Sequence, residues 1–323
     1  MRNTAVRDTA EWYQTFAEVE ARGQSAVYFD WATGVAGDPD IRELIERMPL
    51  QKRQPNLVFA VSRLLGAPIG PYDRFRDWLA VNFDAVETEA AGRMTQTNEP
   101  RRCASLLPAL CLIDGPLALL EVGSSAGLCL YPDRYSYSYD GRRVDPQDGP
   151  STVLLESATS GPIPIPQRLP EIVWRAGIDL HPLSVDDADD MLWLGTLVWP
   201  EQDDRRERLR AAITIAREDP PRLVEGDARG ALLGLAREAP EDATLVVVSS
   251  GVLVYLVAEE RRLFTETVRS MDARWISLEG RGALPAVEEA LPADADPTGR
   301  FVLALDETPL ALTGPHGQSL DWF

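Results

Sequence analysis

The sequence has 323 residues, 45% of them hydrophobic, which is enough for one large domain or two smaller ones. Its 32 Lys and Arg against 51 Asp and Glu give a net charge of −19, and this argues against nucleic acid as a partner because a phosphate backbone requires a basic surface. We see no secretory leader and no apolar run long enough to cross a membrane, so we expect a cytoplasmic protein that does not enter membranes.

Metal-binding residue types are few and widely spaced. The three cysteines (Cys103, Cys111, Cys129) and two histidines (His181, His316) show no ligand spacing, so we predict no metal site. Acid–base chemistry would therefore fall to carboxylates, tyrosines or His181.

Residues 1–115 are predicted to form a helical domain. Asp38 followed by Pro39 is typical of a capped helix start, and Pro71 opens a second helix with a continuous apolar stripe. Three tryptophans are candidate anchors for a protein partner, although core packing is the commoner role of such residues: Trp12, Trp31 and Trp78.

A polar stretch, residues 96–102, precedes the last helix of this domain. Thr97 or Asn98 would cap the helix, with Glu99 complementing the helix dipole and Arg102 facing water. Alternatively, the stretch lies above the sheet and supplies polar groups to a pocket.

The stretch Leu117–Leu130 is predicted to be a buried strand, a tight turn and a helix start. Glu121 ends the strand, and the turn contains Gly123, Ser124, Ser125 and Gly127. Such a turn exposes backbone N–H groups at the carboxyl end of a central strand, where α/β sheets bind nucleotide-like ligands. The alternative is a packing turn without a ligand.

The next segment, 135–170, is predicted to be an insertion. Residues 133–141 alternate strictly and end in Asp-Gly, which indicates a β-hairpin, and four prolines then prevent regular structure. Three tyrosines on one face would either cover the core, with their hydroxyls in water, or line a substrate pocket: Tyr135, Tyr137 and Tyr139.

Strands and helices then alternate to the end of the sequence. Residues 116–323 are therefore predicted to form a doubly wound, mainly parallel α/β sheet of Rossmann-like type. Asp179 ends the second strand, where an acid can accept the ribose hydroxyls of a nucleoside cofactor. The basic residues Arg205, Arg206 and Arg208 are predicted to lie on a solvated helix face.

Several motifs together resemble class I S-adenosylmethionine-dependent methyltransferases: Glu121-Val-Gly-Ser-Ser-Ala-Gly127, Asp179 after a strand, Gly226-Asp227-Ala228, and Ser249-Ser250. With Gln96-Thr-Asn-Glu99, Asp133-Arg-Tyr135 and Trp199-Pro-Glu201, they are similar to a bacterial family known as domain-of-unknown-function family 2332. The chain departs from these patterns at Ser125, where a glycine is usual, and at Cys129, where the family tends to have asparagine.

The resemblance implies a fold and a cofactor site for S-adenosylmethionine. Glu121, Gly123 and the loop serines Ser124 and Ser125 would border the methionine end, with Gly127 at the helix start. The remaining implied contacts are Asp179 with the ribose, Asp227 and Ala228 with the adenine, and Ser249 below the sulfonium. Candidate catalytic residues are Glu99, Asp133, Tyr135 and Glu279.

Three hypotheses about function follow. The first is a small-molecule methyltransferase, in which a carboxylate or tyrosine removes a proton where required. The second keeps the fold without methyl transfer: a cyclase or lyase that acts on an amine-bearing substrate by internal displacement, possibly with a partner subunit. The third is a non-catalytic subunit that docks a partner through its N-terminal helices.

Overall fold

The structure is a computed structural model that describes residues 8–323. Residues 1–7, with which the predicted helical domain begins, lie outside this range. The chain divides into two compact units, whose described parts are residues 8–97 with 188–207, and residues 98–187 with 208–323. The boundary thus falls before residue 98 and not at 115, because helix Arg102–Leu110 packs against strands of the second unit.

The first unit is helical, as predicted. Asp38 caps the third helix by accepting hydrogen bonds from the N–H groups of Asp40 (3.1 Å) and Ile41 (3.2 Å), with Pro39 at its first position. The α-helices that begin in this unit are α1 (Thr9–Phe16), α2 (Ala26–Gly37), α3 (Pro39–Glu46), α4 (Pro55–Leu64), α5 (Tyr72–Gly92), α7 (Ala188–Leu197) and α8 (Asp203–Glu218).

An aromatic core holds these helices together. Trp31 is fully buried and stacks on Phe75 with ring centroids 4.0 Å apart, and Phe59 packs edge-on against both rings. Trp31 is therefore a core residue and cannot anchor a partner. Trp78 is partly buried against this core, and Trp12 is also partly buried.

The second unit contains an eleven-stranded sheet in the order β3-β2-β4-β11-β10-β9-β8-β7-β1-β5-β6. Its strands are β1 (Leu117–Val122), β2 (Ser136–Tyr139), β3 (Arg142–Val144), β4 (Leu154–Ser160), β5 (Ile172–Asp179), β6 (Arg222–Glu225), β7 (Thr244–Ser250), β8 (Arg274–Gly280), β9 (Phe301–Leu305), β10 (Thr308–Thr313) and β11 (Ser319–Trp322). Its helices are α6 (Arg102–Leu110), α9 (Ala228–Ala236), α10 (Ala258–Arg269) and α11 (Pro285–Glu289).

The sheet is mostly parallel. β6, β5, β1, β7 and β8 run in one direction, and β9 and β10 then alternate as an antiparallel pair. The predicted hairpin is present as β2 and β3. It joins the same sheet through β4, which pairs with β11, so the segment predicted as an insertion extends the sheet. No helix among residues 8–323 is both long and apolar enough to cross a membrane.

Candidate functional site

β1 lies where the order of strands along the chain changes direction. It pairs in parallel with β5 on one side and with β7 on the other. Crevices outside the carboxyl ends of such strands are the usual ligand sites of α/β sheets. Acids lie at this edge on neighbouring strands: Glu121 on β1, Asp179 at the end of β5, Asp227 after β6, and Glu279 on β8.

The loop after β1 is held by β5. The N–H groups of Gly123 (2.8 Å) and Ser124 (3.2 Å) both donate to the carbonyl of Ile178. Asp179 accepts a hydrogen bond from the N–H of Ser125 (2.8 Å) and one from that of His181 (2.9 Å). Asp179, the predicted ribose contact, thus also fixes the shape of the loop.

The conformation of this loop departs from a glycine-rich cofactor loop. Gly123 has φ +74°, and a Cβ there would lie 2.6 Å from the side chain of Val252. Ser125 has φ +52°, a left-handed conformation that costs more for serine than for glycine. The predicted middle position of the loop is therefore strained.

The predicted helix start at Gly127 is wrong. Only a short 3₁₀ turn, Leu128–Leu130, follows the loop, because Pro132 lacks an N–H group and disfavours helical backbone at the preceding Tyr131. The N–H of Leu128 donates to the side chain of Asn98 (3.0 Å). Asn98 is therefore not a helix cap, and its role in holding the loop was not predicted.

Glu121 is a buried carboxyl group without a hydrogen bond. Its residue is 3% exposed, and none of the hydrogen bonds among the described residues involves its carboxyl oxygens. Burial raises the pKa of Glu121 well above its usual value, as do Cys129 and Asp179, while Arg102 opposes this shift. An unpartnered buried carboxyl group is costly to the fold and is characteristic of functional sites.

Ser124, beside Glu121 in the chain, is similar. Its hydroxyl is buried and has no partner among the described residues. It packs over Gly177, the β5 residue in register with Glu121, where a Cβ would lie 2.3 Å from the hydroxyl oxygen.

Glu279 is the second buried acid at this edge. Its carboxylate accepts hydrogen bonds from the N–H groups of Val252 (3.3 Å) and Leu253 (3.2 Å). Burial raises the pKa of Glu279 to about 7, although these bonds, Arg102 and Ser249 oppose the shift. Ser249, the predicted floor of the site, also accepts a hydrogen bond from the indole of Trp275 (3.3 Å).

Arg102 does not face water as the capping interpretation predicts. It is 8% exposed and donates to the backbone carbonyls of Ser250 (2.8 Å) and Pro315 (3.1 Å). Its guanidinium also lies over the ring of Phe301, 5.7 Å from the centroid. In the sequence, only the polar residues next to Arg102 indicated that it could lie near the site.

The other predicted catalytic acids are in ion pairs. Glu99 is buried and accepts a hydrogen bond from Arg208 (2.9 Å), so the prediction that Arg208 lies on a solvated face is wrong. Asp133 forms a two-bond pair with Arg175 at 3.0 and 3.2 Å. Both contacts are consistent with structural roles, and a catalytic role of either acid stays a prediction.

The three tyrosines of the hairpin segment are buried in the core. Their hydroxyls donate to backbone carbonyls: Tyr135 to Leu128 (2.7 Å), Tyr137 to Pro132 (2.6 Å) and Tyr139 to Ala104 (2.8 Å). The expectation that these hydroxyls reach water is wrong, and burial raises the pKa of each. Tyr135 stays an untested catalytic candidate.

Asp227 and Ala228 lie at the start of α9. Asp227 caps this helix by accepting a hydrogen bond from the N–H of Arg229 (2.9 Å) and is also paired with the Arg229 side chain. These bonds hold the pKa of Asp227 below its usual value. The three predicted cofactor acids thus lie on or directly after adjacent strands, although Asp227 is already paired.

Two surface cavities lie away from these acids. One of about 550 Å³ is lined by residues of α1 and α3, including Arg42 and Glu46. The other, of about 430 Å³, lies between Cys111 and the proline-rich segment at Pro166. No group of three or more possible metal ligands occurs in the described part of the chain.

Fold and site together define a mixed α/β protein that has buried acids at the carboxyl edge of a mostly parallel sheet. The chain belongs to the family described as "Uncharacterized protein conserved in bacteria (DUF2332)", which matches residues 66–322. This confirms the family predicted from the sequence. Neither the curated proteins nor the solved structures searched contain a match.

Proposed function

We propose that this chain is a small-molecule methyltransferase that uses S-adenosylmethionine, with a methyltransferase-like fold and its site at the carboxyl edge of β5, β1 and β7. The observation that carries the proposal is Glu121, a buried carboxyl group without a hydrogen bond at the point where the strand order reverses. The order β6-β5-β1-β7-β8, with all five strands parallel, also supports it.

The residues present fit the polar end of this cofactor. Glu121 and Ser124 have buried oxygens without partners, and these would bind the ammonium and hydroxyl groups of the methionine and ribose parts. A bound cation would stabilise the ionised form of Glu121, which burial disfavours. Asp179 would contribute its remaining lone pairs next to the loop that it holds.

When bound, S-adenosylmethionine supplies an electrophilic methyl group on a sulfonium. The chain must align the acceptor atom and, where needed, remove its proton. Glu279 is the best candidate for this base because its pKa of about 7 places both protonation states near neutral pH. Its two backbone hydrogen bonds fix the position of the carboxylate.

A second candidate function is a cyclase or lyase that acts on an amine-bearing substrate without a methyl donor. The loop favours it: Ser125 is strained where a cofactor loop has glycine, and a 3₁₀ turn replaces the helix start. Glu121 would then bind the substrate amine directly, with Glu279 as the base for internal displacement.

Calorimetric titration of the full chain with S-adenosylmethionine and S-adenosylhomocysteine tests the first proposal. We expect binding of both ligands and, in Glu121→Gln, affinity reduced by about tenfold or more, because a charge-assisted hydrogen bond is lost. Glu241→Gln is the matched control, since Glu241 is exposed in the same unit. A cooperatively folded protein that binds neither ligand would refute methyl transfer and favour the second candidate.

A further inference from the structure

We infer that Arg102 binds the carboxylate of the acceptor molecule, so that the substrate is a small carboxylic acid. This inference rests on the proposed methyltransferase function, because only a methyltransferase has an acceptor. The proposal that Arg102 binds a carboxylate does not depend on the cofactor. Arg102 is a buried cation at the carboxyl ends of β7 and β8 that makes no ion pair with a described residue.

Every hydrogen bond of Arg102 goes to a neutral group. Nη1 donates to the carbonyl of Ser250 (2.8 Å) and more weakly to its hydroxyl (3.5 Å), and Nε donates to the carbonyl of Pro315 (3.1 Å). All of these bonds within the described residues come from Nε and Nη1, and none comes from Nη2. A guanidinium group so placed is held by neutral groups and has no carboxylate at ion-pair distance, although Glu121 and Glu279 lie within electrostatic range.

Other buried arginines of the same unit form close ion pairs with carboxylates. Arg175, 9% exposed, has a two-bond pair with Asp133, and Arg208 pairs with the buried Glu99. The fold therefore gives these two arginines a carboxylate at hydrogen-bond distance, whereas Glu121 and Glu279 act on Arg102 only from a longer range. A planar guanidinium binds a carboxylate through two parallel hydrogen bonds, which makes this group the ligand chemistry that Arg102 fits.

Gly251 lies close against the guanidinium of Arg102 and the ring of Phe301. A Cβ at this position would lie 3.1 Å from Nη2 of Arg102 and 3.1 Å from the ring of Phe301. Any side chain here would crowd both groups. The ring of Phe301 lies beneath the guanidinium, which the carbonyls of Ser250 and Pro315 also hold in place.

The neighbours of Arg102 assign this carboxylate to the acceptor. Ser250 lies at the end of β7, and Glu279, the proposed base, lies on the adjacent strand β8. Asp179, the proposed ribose contact, lies at the end of β5, on the other side of β1. A carboxylate bound to Arg102 would thus hold the acceptor next to its base, although the methyl donor also carries a carboxylate.

Small carboxylates test the site without knowledge of the substrate. Formate, acetate and propionate, each compared with its amide at constant ionic strength, are added to the full chain during thermal unfolding. We expect the acids, and not the amides, to raise the melting temperature of the parent. The effect should persist in Arg210→Gln, an exposed control in the same unit, and should vanish in Arg102→Gln.

A lysine variant tests the site if Arg102→Gln does not fold. Arg102→Lys keeps the charge but loses the planar fork, so its affinity for acetate should fall by about tenfold. Equal effects of acids and amides, no effect of the acids, or parental acetate affinity in either Arg102 variant would overturn the carboxylate site.

Titration of Arg102→Lys with S-adenosylmethionine decides between the two carboxylates, because this variant keeps the positive charge that opposes the pKa shift of Glu121. Unchanged cofactor affinity is expected if Arg102 serves the acceptor, whereas a tenfold loss, roughly the value of one charged hydrogen bond, would assign it to the donor and overturn our inference. If the parent binds no S-adenosylmethionine, the proposed function fails, while the acetate result still decides whether Arg102 is a carboxylate site.

Discussion

Buried charges occur in two arrangements within the sheet unit. Asp133 with Arg175 forms a close ion pair, whereas Glu121 and Arg102 have no ion pair with a described residue. The paired charges connect β5 to the segment after the loop, and the unpaired ones lie at the carboxyl ends of β1 and β7. The contrast indicates that the first arrangement serves the fold and that the second is kept at a cost to stability.

Removal of one partner from the paired arrangement should have the largest effect. Arg175→Met leaves Asp133 without its two-bond partner, and we expect the free energy of unfolding to fall by about 3–5 kcal/mol. Denaturant unfolding measures this loss, with the exposed Arg210→Met as control. A loss below that of the control would show that the pair does not support the fold.

Removal of the charge of Glu279, a further buried acid at this sheet edge without an ion pair among the described residues, should have the opposite sign. The pKa of Glu279 is about 7 when folded and 4.5 ordinarily, so the folded state binds more protons between these values. The free energy of unfolding therefore falls as the pH rises from 4.5 to 7. Because Gln cannot ionise, the free energy of unfolding of Glu279→Gln should not fall in this way between pH 4.5 and 7.

We compare the free energy of unfolding of Glu279→Gln with that of the parent at pH 4 and at pH 8. The difference should shift in favour of the variant by about 3 kcal/mol between these pH values, since each pKa unit of the shift to about 7 is worth about 1.36 kcal/mol. Denaturant unfolding at both pH values provides the measurement, and Glu241→Gln should show almost no such gain because Glu241 is exposed. A constant difference between variant and parent from pH 4 to 8 would mean that Glu279 titrates normally.

The loop between the two arrangements should be less sensitive. Gly123→Ala adds a Cβ 2.6 Å from Val252 at φ +74°, and we expect a loss of about 2 kcal/mol from overpacking and strain. Thermal unfolding gives the comparison with Gly234→Ala, whose helical position is open and which should gain about 0.5–1 kcal/mol. Equal effects of the two changes would indicate that the loop relaxes freely.

The sequence predicted most of the central sheet. β1, β5 and β7 are apolar runs with turn residues at their ends, and such local patterns identify strands. The sequence did not predict β4 or the four-residue β11. These two strands pair with each other, and the paired residues Ser160 and Asp321 are 161 positions apart, so no local pattern identifies either strand. α7 was also missed, since an acidic start and a short apolar run gave no clear period.

The candidate site was predicted less completely. Strand ends identified Glu121 and Asp179, since an acid after an apolar run is visible in the sequence. Arg102 and Asn98 were not predicted as buried residues, because their positions depend on contacts with Ser250 and Leu128, which are distant in the chain. The helix expected after Gly127 does not form because Pro132 disfavours helical backbone at Tyr131.

The amide hydrogen bonds of the loop after β1 also determine how this loop can move. Gly123 and Ser124 donate to one carbonyl of β5, and Ser125 donates to the carboxylate that ends the same strand. These amides can meet solvent only when the loop separates from the strand as a whole. Their hydrogen exchange should therefore be slow and should share one opening rate, so the loop behaves kinetically as part of the sheet.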